Sequence, residues 1–493
     1  MKKFGLGKLA FTLALFCITG LTASHAQTFT SLVHFNKTNG AAPAAPLIQG
    51  PDGNFYGTTS GGGVNNAACD GQSCGTLFRI TPEGTLTTLY RFCSRTNCND
   101  GADPGNIVLG ADGNIYGVTA TGGINCHELA IIGCGTIFRF SPSRKLTTLY
   151  SFCPQTNCPD GWNPDSLVLG SDGSLYGTTF HGGMTTIDGY GTFFKITPAG
   201  VFSALHSFCT QTSCLDGGQP ENLTQANGNF YGTTYEGGTD KDRCGIIFQI
   251  TPAGMVTALH SFNVAQGCFI HSPVTMATDG NLYGANSSGG GPHRRGMVYQ
   301  LTPSGEFTDL YSFCALTDCA DGDFPTAGLV QATDGNFYGT TRGGLTRPVN
   351  DGTIFEITSD GTLTTLYSFN SAPQAASGGF PIASLLQATD GNFYGTTSSG
   401  GRGYGTAFKV STGLAPCVAA NPSFGKVGGE VMILGSNLTG VTGVTFNGVS
   451  AAFQVVSSTS IKATVPSGAT TGTIQVTTPS GTLNGNIAFQ VVP

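Results

Sequence analysis

Chemistry in this chain has to be sought where a repeated pattern is broken or decorated. Four cysteine pairs share one spacing and one place in the pattern: Cys93/Cys98, Cys153/Cys158, Cys209/Cys214 and Cys314/Cys319. Cys69/Cys74 and Cys126/Cys134 bracket a second kind of loop. In an exported chain such pairs read as local disulfides. Cys244 aligns with Cys74 and Cys134, and Cys268 with Cys98, so each lacks its usual partner; the two are expected to pair with each other, leaving Cys417 as the odd thiol. Zinc binding is disfavoured, because the pairs recur without nearby histidines. The remaining candidates for ligand binding are His127, Glu128, Trp162, His181, Glu236, Asp240, Asp242, His293, Arg294 and Arg295, all in segments that differ among copies. Neighbouring guanidinium groups suit a carboxylate, and an indole suits the face of a sugar. The competing reading is that these are solvated loop residues. Glycoside hydrolysis requires two carboxylates at a set separation, which sequence spacing does not report. Neither a Gly-x-Ser-x-Gly elbow nor a His-Glu-x-x-His helix occurs, so no catalytic residue is assigned.

The elements that position these residues come from a seven-fold repeat. Asp52-Gly53-Asn54-Phe55-Tyr56-Gly57-Thr58-Thr59 returns, slightly altered, at Asp112, Asp172, Asn227, Asp279, Asp334 and Asp390. A period of this length signals a propeller or solenoid. Each copy runs through an apolar strand, an Asp-Gly turn, an aromatic strand ending in Gly-Gly, a variable loop, Gly-Thr-x-Phe, a second turn and a Thr-Leu-Thr-Thr-Leu-Tyr strand. That is an antiparallel meander of four strands with two apolar faces, which only stacking of sheets can bury. The spacing therefore predicts an all-β, seven-bladed β-propeller. Thr28–Phe35 aligns with a fourth strand yet stands alone, and the last copy lacks one, so the N-terminal strand is expected to close the ring and remove its open edges. The turns fall on one face and the variable loops on the other.

The recurring aspartates read as turn formers that supply left-handed backbone angles. Tyr56, Tyr116, Tyr176, Tyr231, Tyr283, Tyr338 and Tyr394 read as residues packed between blades with their hydroxyls on backbone. His206 and His260 stand where other copies have tyrosine, and no chemistry is assigned to them.

Residues 1–26 resemble a secretory signal, with Lys2, Lys3 and Lys8, an apolar core, and Ser24-His25-Ala26 before the cut. Phe16 before Cys17 argues against a lipid anchor. Loss of the three lysines takes the formal charge from −7 to −10, which disfavours nucleic acid as a partner. No later stretch is long and apolar enough for a membrane span. Residues 27–412 form the repeat region, and 413–493 read as a small β-sandwich of short strands such as Glu430–Leu434 and Ser460–Val465.

The run Asp334-Gly335-Asn336-Phe337-Tyr338-Gly339-Thr340-Thr341, with Gly343-Gly344 and Gly352-Thr353-Ile354-Phe355, resembles the GloVer (Gloeo/Verruco) tandem repeat of exported bacterial proteins. Ile433-Leu434-Gly435-Ser436-Asn437-Leu438, Val444-Thr445-Phe446-Asn447-Gly448 and Ile461–Pro466 resemble an IPT/TIG immunoglobulin-like domain. The resemblance implies a secreted or surface protein (or a periplasmic one) and brings no catalytic motif. The expected function is non-enzymatic binding or adhesion, with extracellular polysaccharide or envelope components bound by the loop face. A polysaccharide lyase or glycoside hydrolase on that face, or a purely structural protein, are the alternatives. No metal or cofactor is expected; the tryptophan-rich repeat of quinone-dependent propellers is missing.

Overall fold

The computed structural model describes residues 27–63, 74–124, 133–183, 189–343, 351–369 and 376–492. Between Thr28 and Ser411 these residues form seven four-stranded antiparallel sheets, with 3-10 turns at Thr96–Cys98, Thr212–Cys214 and Thr317–Cys319. The motif follows from packing within one sheet. Phe55–Thr59 pairs with Thr76–Ile80, which pairs with Leu86–Arg91. The glycine after each repeated tyrosine is required by close approach: a Cβ on Gly395 would lie 2.5 Å from Cζ of Phe408 on the adjacent strand. Two threonines lock the far end of that strand pair, Thr397 Oγ1 to Thr406 Oγ1 at 2.8 Å and Thr59 Oγ1 to Thr76 Oγ1 at 2.8 Å.

The Asp-Gly turns correct two expectations. In the first sheet only Gly53 is left-handed (φ 77); Asp52 is not. Its carboxylate accepts from the Asn54 N–H (3.2 Å) and from the Tyr56 hydroxyl (2.8 Å). The same tyrosine-to-aspartate bond joins Tyr116 to Asp112, Tyr176 to Asp172, Tyr283 to Asp279, Tyr338 to Asp334 and Tyr394 to Asp390. The tyrosine hydroxyls thus bond to the turn carboxylate and not to backbone. Burial and the adjacent carboxylate push Tyr56 and Tyr116 up to about 12. The fourth sheet is the exception that uses a two-residue turn: Ala226 pairs with Asn229, and both Asn227 (φ 51) and Gly228 (φ 75) are left-handed. There Tyr231 accepts from Gln249 Nε2 instead (2.9 Å).

Seven apolar clusters lie between consecutive sheets, and the last joins the seventh sheet to the first. That cluster combines Tyr394, Ala388 and Ala407 with Leu47, Phe55 and Phe78, and the rings of Tyr394 and Phe55 lie 3.9 Å apart. Closure is completed by Thr28–His34, which pairs antiparallel with Thr406–Ser411 from Thr28↔Ser411 to His34↔Thr406. At the inner edge Thr389 N donates to Gln49 Oε1 (3.1 Å). The sheets therefore form a closed propeller-like ring. Neighbouring sheets touch through their first strands, such as Ala102–Leu109, Trp162–Leu169 and Gly218–Ala226, which places those strands around the axis.

The C-terminal residues form two four-stranded sheets plus a parallel pair, Phe424–Lys426 with Gln490–Val492, around Val431, Ile433, Val444, Phe446, Ile461 and Val476. This Ig-like domain sits on the turn end of the ring. Thr459 Oγ1 donates to Pro51 O (2.8 Å), Ser436 Oγ lies 3.2 Å from Thr389 Oγ1, and Asn227 N donates to Gln490 Oε1 (3.0 Å). Phe424 and Val492 join the cluster between the second and third sheets. Sheets one, seven and four lie on opposite sides of the axis, so the domain spans it. Cys417 is a buried free thiol beside Ala388 O (3.6 Å), and burial pushes it up to about 12.

Deleting residues 28–34 should expose the edge at Thr406–Ser411 and remove Leu32 and Val33 from the closing cluster. The expected result is loss of a single cooperative thermal transition and the appearance of aggregates in size-exclusion chromatography. The milder Tyr394→Phe should keep the transition and lower stability by about 1 kcal/mol, the worth of one hydrogen bond.

Candidate functional site

The loop face is built from one repeated device. The residue leading into each first strand is left-handed in all seven sheets: Ala42 (φ 50), Asp103 (54), Asn163 (56), Gln219 (56), Phe269 (62), Phe324 (52) and Phe380 (56). In six of them its N–H donates to the preceding sheet, as Asp103 N does to Cys74 O (3.0 Å) and Phe324 N to Arg295 O (2.8 Å). This position stitches sheet to sheet and needs a positive φ. Asn and Asp adopt that conformation readily, whereas a bulky side chain there costs on the order of 1–3 kcal/mol. Three phenylalanines are nevertheless used. Phe324 lies under the Arg295 guanidinium, 5.2 Å from ring centroid to Cζ. Phe269 is 50% exposed, with its ring 4.6 Å from that of Tyr235.

Disulfides hold the same rim. Cys93–Cys98, Cys153–Cys158, Cys209–Cys214 and Cys314–Cys319 each close a five-residue span, and Cys244–Cys268 joins two loops of neighbouring sheets. Cys74 and Cys134 are disulfide-bonded too, while Cys69 and Cys126, their expected partners, lie outside the described residues. Cys244 and Cys268 do pair, but the alignment behind that expectation is corrected. Gly267 packs on Asn286 as Gly101 packs on Thr119, so Cys268 stands at the place of Ala102 and not of Cys98. That place adjoins Cys74 in the first sheet, where Ala102 shares a cluster with Cys74, Cys93 and Cys98. Among the described residues, the groups of His, Cys, Asp and Glu close enough to hold a metal are Cys74/Cys93/Cys98 and Cys134/Cys153/Cys158, all committed to disulfides. The recurring aspartate beside each staple supports the loop: Asp100 accepts from Tyr90 (2.7 Å) and Ser94 N (2.9 Å), Asp160 from Tyr150 (2.9 Å) and Asp321 from Tyr311 (2.9 Å). His206 meets Asp216 at 3.3 Å and His260 meets Gln266 at 3.1 Å, so both histidines serve the tyrosine's structural role.

Of the residues singled out from the sequence, Trp162 and His181 come together. They face each other across a strand pair with rings 4.2 Å apart and 22° from parallel. Glu236 is opposite Gly218 in the next sheet, where its side chain and that of Tyr190 converge. Asp240 shapes its own loop, accepting from Asp242 N (2.9 Å) and from Arg243 N. His293 and Arg294 are exposed, whereas Arg295 is engaged with Phe324, so the expected Arg294/Arg295 clamp for a carboxylate is not formed as a pair. His127 and Glu128 lie outside the described residues.

The ionisable groups at the loop end of the first strands were not visible in the sequence. Asp165, Glu221 and His271 occupy the same repeat position, two residues after the left-handed one, in three consecutive sheets. The other sheets place Ala44, Gly105, Thr326 and Ile382 there. Glu221 grips His271 Nδ1 with both carboxylate oxygens (2.9 and 2.8 Å), and Asp165 Oδ2 accepts from Asn222 N (2.9 Å). The Asn222 amide in turn donates to His271 O (2.6 Å). Desolvation, reinforced by the Glu221 charge, pushes Asp165 up to about 7. The Glu221 hydrogen bond raises His271 above its ordinary value. Desolvation at the rim raises Asp103 to about 6. The Tyr235 ring lies 5.1 Å from that of His271, and Phe180 lies 5.9 Å from Tyr235, so an aromatic wall stands beside this charged rung.

Fold and site together define a propeller-like repeat protein that carries an Ig-like domain on its turn end. The chain belongs to the Gloeobacter/Verrucomicrobia repeat family, which it matches over residues 17–158, 130–333 and 315–443. Residues 417–491 match the IPT/TIG domain. Among solved structures it is similar to the extracellular domain of the putative hybrid two component system BT4673 from B. thetaiotaomicron, at 13% identity and TM-score 0.49, covering 95% of this chain and 60% of that one. It is also similar to PorZ, a surface component of the type-IX secretion system of Porphyromonas gingivalis, at 13% identity and TM-score 0.47, covering 92% and 60%. A putative gluconolactonase matches at 12% identity and TM-score 0.40, covering 79% and 94%. The chain thus spans 60% of the first two of these proteins, and the likenesses concern the fold alone. No curated protein matches it.

Asp165, Asp103 and His271 all hold protons in the folded state that the unfolded chain releases at lower pH, so their contribution to stability falls as pH rises. The fall begins near the ordinary carboxyl range, about 4, and runs through about 7 for Asp165. Carboxyls held low, such as Asp112, Asp172 and Asp216, lose their contribution on the acid side. The thermal midpoint should therefore decline from about pH 5 to pH 8, and Asp165→Asn should flatten that decline. An unchanged slope in a pH series of scanning calorimetry would contradict the assignment.

Proposed function

We propose that this is an exported, non-enzymatic binding or adhesion protein that recognises extracellular polysaccharide through the loop face of the ring. The observation that carries the reading is Phe269. A half-exposed aromatic ring is held against Tyr235 at an unfavourable backbone angle, directly after a cysteine bonded to the neighbouring loop. Burial does not explain that choice of residue, and a rigid aromatic face is what stacks on a pyranose. The stacked Trp162 and His181 add a second aromatic surface on the same face. The net negative charge and the carboxylates of Asp103, Asp165 and Glu221 favour a neutral glycan over a polyuronate. Export is supported by the disulfides. Among the described residues no helix is long and apolar enough to cross a membrane.

A polysaccharide-cleaving activity on the same face is the second reading, and the Glu221–His271 pair favours it, since a carboxylate-oriented imidazole is a general-base arrangement. One experiment separates the two. The full chain is incubated with immobilised dextran, laminarin, xylan and mannan, then scored for retention and for release of reducing or unsaturated ends. Retention without release is expected. Phe269→Ala should weaken retention about 10-fold, the equivalent of about 1.4 kcal/mol of stacking. Release of new ends that disappears in His271→Asn, His181→Ala or Glu236→Gln would replace binding with catalysis.

A further inference from the structure

We propose that the turn end of the ring carries a second binding site, independent of the loop face, for a small monocarboxylate with an apolar body. A cavity of about 320 Å³ lies between the first and second sheets. Leu89, Leu109, Ile115 and Phe140 supply its apolar lining, continuous with the cluster that joins those sheets. Three of its lining residues are charged: Asp52, Arg79 and Arg144. The Asp52 carboxylate is already engaged, accepting from Asn54 and from the Tyr56 hydroxyl. The two guanidinium groups make no hydrogen bond among the described residues, and Arg79 Nη1 stands 4.0 Å from Asp52 Oδ2. Both are open to solvent: the Arg79 side chain is 30% exposed, and Arg144 is exposed. A ligand can therefore reach both arginines without displacing a protein partner.

Two comparisons within the chain show that the repeat does not dictate these arginines. Arg144 is left-handed (φ 62) at a turn position that five other sheets fill with Gly84, Gly200, Gly254, Gly305 and Gly361. Its N–H donates to Ser141 O as that of Gly305 does to Thr302 O. Glycine adopts that angle freely and arginine does not, so the turn gives up stability to present a guanidinium group. The second comparison is the groove between the fourth and fifth sheets, of about 360 Å³, which has Asn227, Gln249 and Gly305 where the first has Asp52, Arg79 and Arg144. Gln249 pairs with Tyr231 as Arg79 pairs with Tyr56. The scaffold thus forms the cavity with or without charge, and the two arginines are what this copy adds. Guanidinium groups present paired donors that match a carboxylate, and the apolar lining suits the hydrocarbon attached to it. With Asp52 beside them the lining carries one net positive charge, the complement of a monoanion.

The test titrates the full chain calorimetrically with octanoate and benzoate, with their uncharged analogues octanamide and benzamide, and with inorganic phosphate as an anion that lacks an apolar body. Saturable binding of at least one acid at one site per chain is expected, with its amide and phosphate at least about 10-fold weaker. Arg79→Gln and Arg144→Gly, which install the residues of the uncharged groove, should each weaken that acid about 10-fold. Arg144→Gly should do so while the thermal midpoint holds, because it relieves the turn. Arg402→Ala, which removes an exposed arginine between Phe393–Thr397 and Thr406–Ser411, should leave binding unchanged. An amide or phosphate that binds as tightly as the acid, a variant at Arg79 or Arg144 that binds it as well as the parent, or no saturable binding of either acid overturns the site. Glycan retention by the loop face is a separate measurement, and its result bears on neither outcome.

Discussion

The structure depends on the closure of its ring. Each sheet of the repeat has two apolar faces, and each face is buried only because another sheet stands beside it. Seven inter-sheet clusters satisfy seven sheets when the last meets the first. The pairing of Thr28–His34 with Thr406–Ser411 ties the two ends of the repeat region into one sheet, so the ring cannot open without breaking a ladder and exposing Ala407, Tyr394 and Phe55 together. A strand from the start of the chain thereby protects an edge near its end.

Closure also explains the loop face. In a closed ring, equivalent positions of consecutive copies become neighbours, and in six of the seven sheets the left-handed residue at the start of the first strand bonds back to the sheet before it. That stitch leaves the side chain at this position free to vary, from Ala42 to Asp103 to Phe269, while the backbone stays constant. Disulfides and the buried carboxylates of Asp100 and Asp321 hold the adjoining loops in the same way from sheet to sheet. The framework is uniform and the side chains it presents are not, which is the usual division of labour between scaffold and recognition.

Much of this was legible from residue order. The meander, the orphan strand, the five-residue cysteine spans and the structural role of His206 and His260 all follow from patterns within one copy or between aligned copies. The features that residue order does not carry have identifiable physical reasons. The tyrosine hydroxyls bond to aspartates four residues earlier, as in Tyr394 with Asp390, a contact that exists only because the turn has three residues and folds the carboxylate back over the strand. Cys268 follows Phe262 at the spacing at which Cys98 follows Phe92, whereas the glycine packing that defines the register is three-dimensional. Arg295 carries no mark in sequence that distinguishes an arginine over Phe324 from one facing solvent.

Taken alone, the order of residues determined the repeat, the four strands of each sheet, the closing strand and the kind of domain that follows, because those features rest on local alternation, turn chemistry and the need to bury both faces of a sheet. Only the folded molecule decided that Asp165, Glu221 and His271 share one rung, that Phe269 meets Tyr235, and that the Ig-like domain lies across the axis. These groups belong to different copies and to different domains. Their proximity is set by how sheets wind around a common centre, and no short-range pattern in the chain records that geometry.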